Sequence, residues 1–209
     1  MSNLAERSSG TAVERRRDLV AAVREATHAE HAAIEACLGG LVDRALTLAA
    51  YRRIIERFHG YYLPLELALH RSGQLAAIEA ELPWPARSER LARDIAALGG
   101  TVAAELPSCR LLPAVDSPAA ALGCSYVVEG AALGGQVIAH HVTATLGVSP
   151  ERGAAFFFGD GDRTRARWSL FAGILARFGA SHPEAHPQVI GAAVATFQTF
   201  RCWCDGAAT

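Results

Sequence analysis

Alternation of polar and apolar residues, which marks a half-buried β-strand, is almost absent from this sequence, whereas residues that favour helices dominate it. Ala, Leu, Arg and Glu recur in long stretches that are bounded by Gly, Pro or Ser, the residues at which helices commonly begin or end. The sequence therefore predicts an all-α fold of six or seven helices without a sheet. The predicted helices cover about residues 12–38, 47–70, 88–98, 117–146 and 162–178, and a last one reaches Cys204.

Length and charge limit what the chain can be. With 209 residues, of which 51% are hydrophobic, it is large enough for one domain with a substantial core. Residues 1–11 are predicted to form a disordered tail and residues 12–209 one helical domain. The net charge of −1 gives no reason to expect binding to nucleic acid or to an anionic membrane. The polar N-terminus lacks the apolar segment of a signal peptide, so we expect a cytoplasmic protein without a membrane anchor.

Two histidines lie three residues apart in the first predicted helix, in the segment EATHAEHAAIE. On a helix, His31 shares a stripe with Arg24 that we expect to face inward, whereas His28 lies toward the solvent. Glu35 follows His31 by one turn. Its carboxylate can therefore accept a hydrogen bond from the second ring nitrogen of a metal-bound imidazole, which fixes the orientation of the ring.

Arg24 precedes His31 by two turns, about 10.5 Å along the helix axis. This is about the distance from the iron of a porphyrin to the carboxylates at its rim. One helix could thus supply an iron ligand, the hydrogen-bond partner of that ligand and a clamp for a carboxylate. The same spacing also fits a core histidine beside a surface arginine, and both interpretations remain open at this point.

Glycines interrupt the long apolar helix predicted over residues 117–146, where each costs about 1 kcal/mol relative to alanine. Gly123, Gly130 and Gly134 lie within about 20° of one line along that helix. A stripe without side chains lets a flat ligand approach the backbone, and it equally allows tight packing of helix on helix. A ligand histidine on one helix and a glycine surface on another together indicate a heme held between the two.

The segments that carry these residues resemble the heme oxygenase family. Residues 25–35 are similar to its proximal-helix signature, with His31 at the position of the iron ligand and Glu35 at that of its partner. Residues 126–138, YVVEGAALGGQVI, are similar to the distal-helix signature in its bacterial form, and most of all to that of the enzymes that accompany bacteriophytochromes. Further similar segments are FHGYYLPLELAL (58–69) and GAAFFFGDGDRTRARW (153–168).

The resemblance implies a single-domain helical bundle that holds heme between the proximal and distal helices. Heme b would be both substrate and cofactor, cleaved to biliverdin, CO and free iron with O2. No flavin or nicotinamide motif is present, so the electrons would come from an external donor, a ferredoxin or a reductase. The product would supply the bilin chromophore of a bacteriophytochrome.

The resemblance also assigns roles to individual residues. His31 would bind the iron, and Gly130 and Gly134 would lie over the heme on the side where oxygen binds, as the catalytic surface. Arg24 and Tyr126 would contact the heme propionates. Arg163, Arg165 or Arg167 would add one more contact; we choose Arg167, although all three also fit a solvated helix face. The implied heme contacts are Arg24, His31, Glu35, Tyr126, Gly130, Gly134, Gly135 and Arg167.

One position departs from the family pattern. Mammalian members carry a distal-helix aspartate that orders proton-delivering waters, and Ala131 stands there in this chain. Proton delivery would then depend on waters held by backbone carbonyls or on another side chain. The departure leaves room for a non-catalytic heme-binding or heme-storage protein on the same scaffold. A helical interaction protein whose glycines serve only packing is a third interpretation.

Overall fold

Six helices of eleven or more residues make up most of the structure, a computed structural model that describes residues 18–101 and 106–206. Within these residues there are also two single-turn helices and no β-strand, so the predicted all-α fold is confirmed. The predicted tail over residues 1–11 lies outside the described residues. The helices are α1 Leu19–Cys37, α2 Leu48–Ser72, α3 Ala76–Glu79, α4 Arg87–Ala97, α5 Pro118–Leu146, α6 Ala155–Phe158, α7 Thr164–Ser181 and α8 His186–Cys204.

The ends of α2 and α5 follow from capping residues that are visible in the sequence. The Thr47 hydroxyl accepts a hydrogen bond from the Ala50 N–H at 3.2 Å, and the Ser117 hydroxyl accepts one from the Ala120 N–H at 3.1 Å. Gly147 ends α5 with a left-handed φ of 68°. Both helices therefore begin at the residues predicted from the sequence, and α5 also ends at its predicted residue.

Two predicted helix starts need correction. Asp18 lies within the predicted first helix, but its carboxylate accepts a hydrogen bond from the Val20 N–H at 3.1 Å and caps α1 there; residues 12–17 of the predicted helix lie outside the described residues. The predicted helix start at residue 162 is also wrong. Asp162 lies within a 3₁₀ turn, and α7 begins at Thr164 without a side-chain cap.

Helix α8 lies against both α5 and α1 and so joins the two helices that carry the predicted site. At its crossing with α5, a Cβ atom at Gly123 would lie 2.3 Å from the Val189 carbonyl oxygen and 2.9 Å from the Ala193 nitrogen. Only glycine allows this close approach. Gly123 therefore serves the packing of α5 on α8.

A buried carboxylate, that of Asp94, holds the α6 turn in place. Asp94 accepts hydrogen bonds from the Ala155 N–H at 2.7 Å and the Phe156 N–H at 2.8 Å. Burial raises the pKa of Asp94, although these two bonds act in the opposite direction. The turn packs on α5 at Gly135, where a Cβ atom would lie 3.1 Å from the Phe157 carbonyl oxygen.

Helix α5 is the one helix in the described ranges that is long and apolar enough to cross a membrane by length and composition alone. Half of its most apolar window is buried inside the protein. The core helix of a soluble domain has the same properties.

Candidate functional site

Helices α1 and α5 both pack on α8, and side chains connect them at two places. The Thr27 side chain is close enough to the Tyr126 hydroxyl to lower its pKa, and His141 Nε2 lies 3.1 Å from the carbonyl oxygen of Asp43, beyond the end of α1. Sixteen residues separate Thr27 from Asp43, and fifteen separate Tyr126 from His141. The two helices therefore run in the same direction and in register.

Between these two places, His31 of α1 and Gly134 of α5 are both exposed, and the space between the two helices at these residues is called the cleft below. His31 follows Thr27 by one turn and Gly130 follows Tyr126 by one turn, so His31 and Gly130 lie at the same height. The His31 side chain is 59% exposed, and among residues 18–101 and 106–206 no atom outside the local backbone of α5 lies within 4 Å of the Cβ position of Gly134. The predicted ligand and the predicted glycine surface thus face an unfilled space.

The α1 side of the cleft carries the polar residues of the predicted site. Arg24, Thr27, His31 and Glu35 lie within about 80° around the helix. His31 Nδ1 is 3.5 Å from Glu35 Oε1, and the edge of the imidazole packs on Phe197 of α8 with ring centroids 5.8 Å apart. With Nδ1 turned toward Glu35, Nε2 is the nitrogen left for a ligand.

The expectation that this stripe faces the core is wrong. The buried residues of α1 are Leu19, Val23, Thr27 and Ile34, whereas Arg24, His31 and Glu35 are exposed. The centre of the buried side lies about 75° from His31 around the helix. The apolar side packs on α7 and α8, and the stripe with His31 borders the cleft.

Helix α5 presents a surface without large side chains. Gly130, Gly134 and Val137 lie on the same side as Tyr126 and His141, within about 80°, which is the side that faces α1. A Cβ atom at Gly134 would point into open space. This part of the glycine stripe therefore does not serve helix packing.

A tyrosine and an arginine meet at one end of the cleft. Burial raises the pKa of Tyr126, while the nearby Thr27 side chain and the positive charge of Arg24 act in the opposite direction. Arg24 itself is exposed. The pair thus offers a guanidinium and a phenol on either side of the cleft, which is a donor set for carboxylates.

These residues fit a heme in their chemistry and arrangement. His31 has one ring nitrogen free, with the Glu35 carboxylate at the other. Hydrogen-bond donors for carboxylates lie at one end of the cleft, and the glycines of α5 form a flat wall opposite. Within the described ranges, no group of three or more His, Cys, Asp or Glu residues is placed to hold a metal ion. The single histidine with an open cleft before it is the arrangement that a porphyrin-bound iron needs, because the ring supplies the other ligands.

Comparison with known proteins agrees with this arrangement. The sequence model of heme oxygenases matches residues 17–205. The chain belongs to the heme oxygenase family. Its structure is similar to that of the heme oxygenase from Leptospira interrogans, with a TM-score of 0.72 and 21% identity over 90% of this chain and 99% of that one, which confirms the heme oxygenase fold. A search of curated proteins found no match.

Two of the predicted heme contacts of this heme oxygenase lie elsewhere. Gly135 is buried against the Phe157 carbonyl of the α6 turn, on the side of α5 away from the cleft. Arg167 donates from Nε and Nη2 to the two carboxylate oxygens of Glu129, at 2.9 and 2.8 Å, and from Nη2 to the Pro83 carbonyl. Glu129 has only 2% of its side chain exposed. Arg167 is therefore held in an internal ion pair, and the geometry does not support a propionate contact.

Two aromatic residues that border the heme oxygenase cleft were not among the predicted site residues. Phe197 of α8 contacts His31, and Trp168 of α7 contacts Gly130, whose Cβ would lie 3.5 Å from the indole ring. Both come from helices other than α1 and α5, so no spacing within a single helix reveals them. Trp168 is the last residue of the segment 153–168, which resembles the heme oxygenase family as a segment and not through this residue alone.

Proposed function

We propose that this heme oxygenase binds heme b in the cleft between α1 and α5, with the iron on His31 Nε2, and cleaves it to biliverdin, CO and free iron. The observation that carries the proposal is the pair of an exposed His31 on α1 and a Gly134 on α5 whose Cβ position has no neighbouring side chain within 4 Å among the described residues. A packing glycine would have neighbours there.

The α1 residues bind and orient the substrate. Glu35, at 3.5 Å from His31 Nδ1, holds the imidazole with Nε2 toward the cleft. Arg24 lies two turns away, about 10.5 Å along the axis, where the guanidinium can pair with a heme propionate. Tyr126 supplies a hydroxyl donor to the same carboxylate end.

The α5 residues shape the opposite wall. Bound heme supplies the iron that activates O2 and the porphyrin ring that is oxidised. Gly130 and Gly134 leave room between that ring and α5 for oxygen, because neither has a side chain. Ala131 and Gly134 are exposed, so water from the solvent can enter the cleft and bring protons that Ala131 cannot supply.

The remaining parts of the proposal concern partners. An external donor, a ferredoxin or a reductase, provides the electrons, and the bilin product serves a bacteriophytochrome in the cytoplasm. These partners are supported by the resemblance of residues 126–138 to the enzymes that accompany bacteriophytochromes.

A second candidate function is heme binding or storage without turnover. It is favoured by Ala131, which leaves the distal helix without a carboxylate in the cleft. If this second function is correct, the protein binds heme, and the bound heme is not degraded when a reductant is added in air.

One titration followed by turnover tests both candidates. Hemin is added to the wild-type protein and to His31→Ala, and the Soret band is followed; ascorbate or a ferredoxin system is then added in air and the red band of biliverdin is measured. We expect wild type to bind and to form biliverdin, and His31→Ala to lose both, with partial rescue by imidazole.

His28→Ala is the matched control, because His28 is exposed on the same helix one turn earlier. It keeps the wild-type spectrum and turnover. Loss of both in His28→Ala, with His31→Ala unchanged, contradicts the assignment of the ligand. A stable heme complex without biliverdin supports the storage function instead.

A further inference from the structure

Trp168 stands at the side of the cleft, between α5 and α7. Two carbons on the benzo edge of its indole lie 3.5 and 3.7 Å from the Cβ position of Gly130. Its ring packs edge-on against Tyr126 with centroids 5.4 Å apart, and it is tilted against Phe171 at 5.9 Å. The indole is half-buried, so part of its surface remains open.

The backbone around Trp168 is held at this height by a buried ion pair. Its neighbour Arg167 binds both carboxylate oxygens of Glu129, the residue that precedes Gly130 on α5. Glu129 also accepts from Arg87 at 3.2 Å, and Arg87 has only 3% of its side chain exposed. Adjacent residues on α7 thus meet adjacent residues on α5, which fixes the indole against Gly130.

A histidine ligand alone does not determine how a heme is rotated in its pocket. The ring can turn about the bond between the iron and the imidazole nitrogen, and each rotation places a different bridging carbon over Gly134. Carboxylate donors at one end restrict this rotation. A rigid aromatic wall at the side restricts it further, because the substituents on the edge of the porphyrin differ in size and those that face the wall must fit against it.

We infer that Trp168 is a specificity-determining residue of this heme oxygenase: its indole contacts the edge of the bound heme and selects the bridging carbon that is attacked. The inference rests on the proposed function. Trp168 selects by contact with the porphyrin, whereas Arg167 and Glu129 act only by positioning Trp168. Removal of the indole opens the space beside Gly130 and allows a second rotation of the ring.

Three variants test this inference: Trp168→Ala, Trp168→Phe and, as a control on the same helix, Phe178→Ala. Phe178 is half-buried and lies ten residues, about 15 Å, further along α7. The first readout is the set of heme-methyl proton resonances of the ferric cyanide complex, which counts the rotations present without turnover. The second is the ratio of biliverdin isomers, separated by chromatography.

In Trp168→Ala we expect a second set of heme-methyl resonances and a rise of about tenfold in the minor isomer. Loss of the aromatic contact also weakens hemin binding by about three- to tenfold. Trp168→Phe keeps a ring but loses the benzo edge, so it gives a smaller change in the same direction. Phe178→Ala keeps the wild-type resonances and isomer ratio.

Unchanged resonances and an unchanged isomer ratio in either folded Trp168 variant overturn the inference while leaving the proposed function intact. If Trp168→Ala does not fold, Trp168→Phe decides by the same two readouts. A wild-type protein that takes up no hemin contradicts the proposed function, and the inference falls with it.

Discussion

Replacement of Gly134 by alanine adds one methyl group to the wall of the cleft. In the part of the chain that the structure describes, the new Cβ position meets no atom within 4 Å apart from the local backbone of α5, so the apo-protein accepts the methyl group without a clash. Alanine is also the better helix former, by about 1 kcal/mol. For a chain of this size that gain raises Tm by at most about 2–4 °C.

We expect Gly134→Ala to lower turnover, although it does not lower stability. When heme fills the cleft, the Gly134→Ala methyl group occupies the space between the porphyrin and α5 in which oxygen must fit. Overpacking of this kind costs about 1–3 kcal/mol. If the cost falls on the reacting complex, turnover slows by about 5- to 150-fold, since about 1.4 kcal/mol corresponds to a factor of ten.

Gly123→Ala is the matched control, because Gly123 lies on the same line of α5. Its Cβ would be 2.3 Å from the Val189 carbonyl oxygen, a contact with backbone that must shift. We expect this variant to lose about 1–3 kcal/mol of stability and to keep its turnover per folded molecule.

The assay measures two quantities on each variant: the Tm of the apo-protein by circular dichroism, and biliverdin formed per bound heme. Gly134→Ala should keep or raise Tm and lose turnover. A Gly134→Ala protein that turns over like wild type, or one that loses stability as Gly123→Ala does, refutes the placement of heme over Gly134.

Two further predictions concern single carboxylates. Glu35→Ala should keep heme bound but change the iron–histidine stretching frequency of the ferrous protein, because His31 loses its nearest acceptor; an unchanged frequency removes Glu35 from this role. Burial alone would raise the pKa of Asp160, but the hydrogen bond and charge of Arg90 and the charge of Arg167 hold the pKa below its ordinary value of 3.8. Ionised Asp160 therefore stabilises the fold above that value, and this stabilisation is lost as pH falls through the lowered pKa. The difference in unfolding free energy between wild type and Asp160→Asn should be greatest at neutral pH and should shrink as the pH falls below 3.8 and through the lowered pKa; a difference that does not change with pH contradicts the ion pair.

The fold was largely predictable because its signals are local. Helix α5 begins at Pro118 after the Ser117 cap and ends before Gly147, as the sequence predicts, since a hydroxyl cap and a left-handed glycine act within one turn. The prediction failed at Asp162, where the chain makes a 3₁₀ turn before α7 begins. A capping residue near a helix start does not determine whether the helix uses it.

The site was predictable only along single helices. The spacing of His31, Glu35 and Arg24 was visible within α1, and the structure brings His31 and Glu35 together. The partners of Arg167 and Gly135 lie on other helices, and no spacing in the sequence indicates them. For the same reason, the sequence could not show that, of the three aligned glycines, Gly123 packs on α8 whereas Gly130 and Gly134 face the cleft.

The structure of the heme complex is the most direct test of whether heme binds between α1 and α5 with its iron on His31. We expect His31 Nε2 to be bonded to the iron, the propionates to lie at the Arg24 and Tyr126 end, and Gly134 to lie over the opposite face of the ring. A heme whose iron is bound by another residue, or a heme outside the cleft between α1 and α5, contradicts the account.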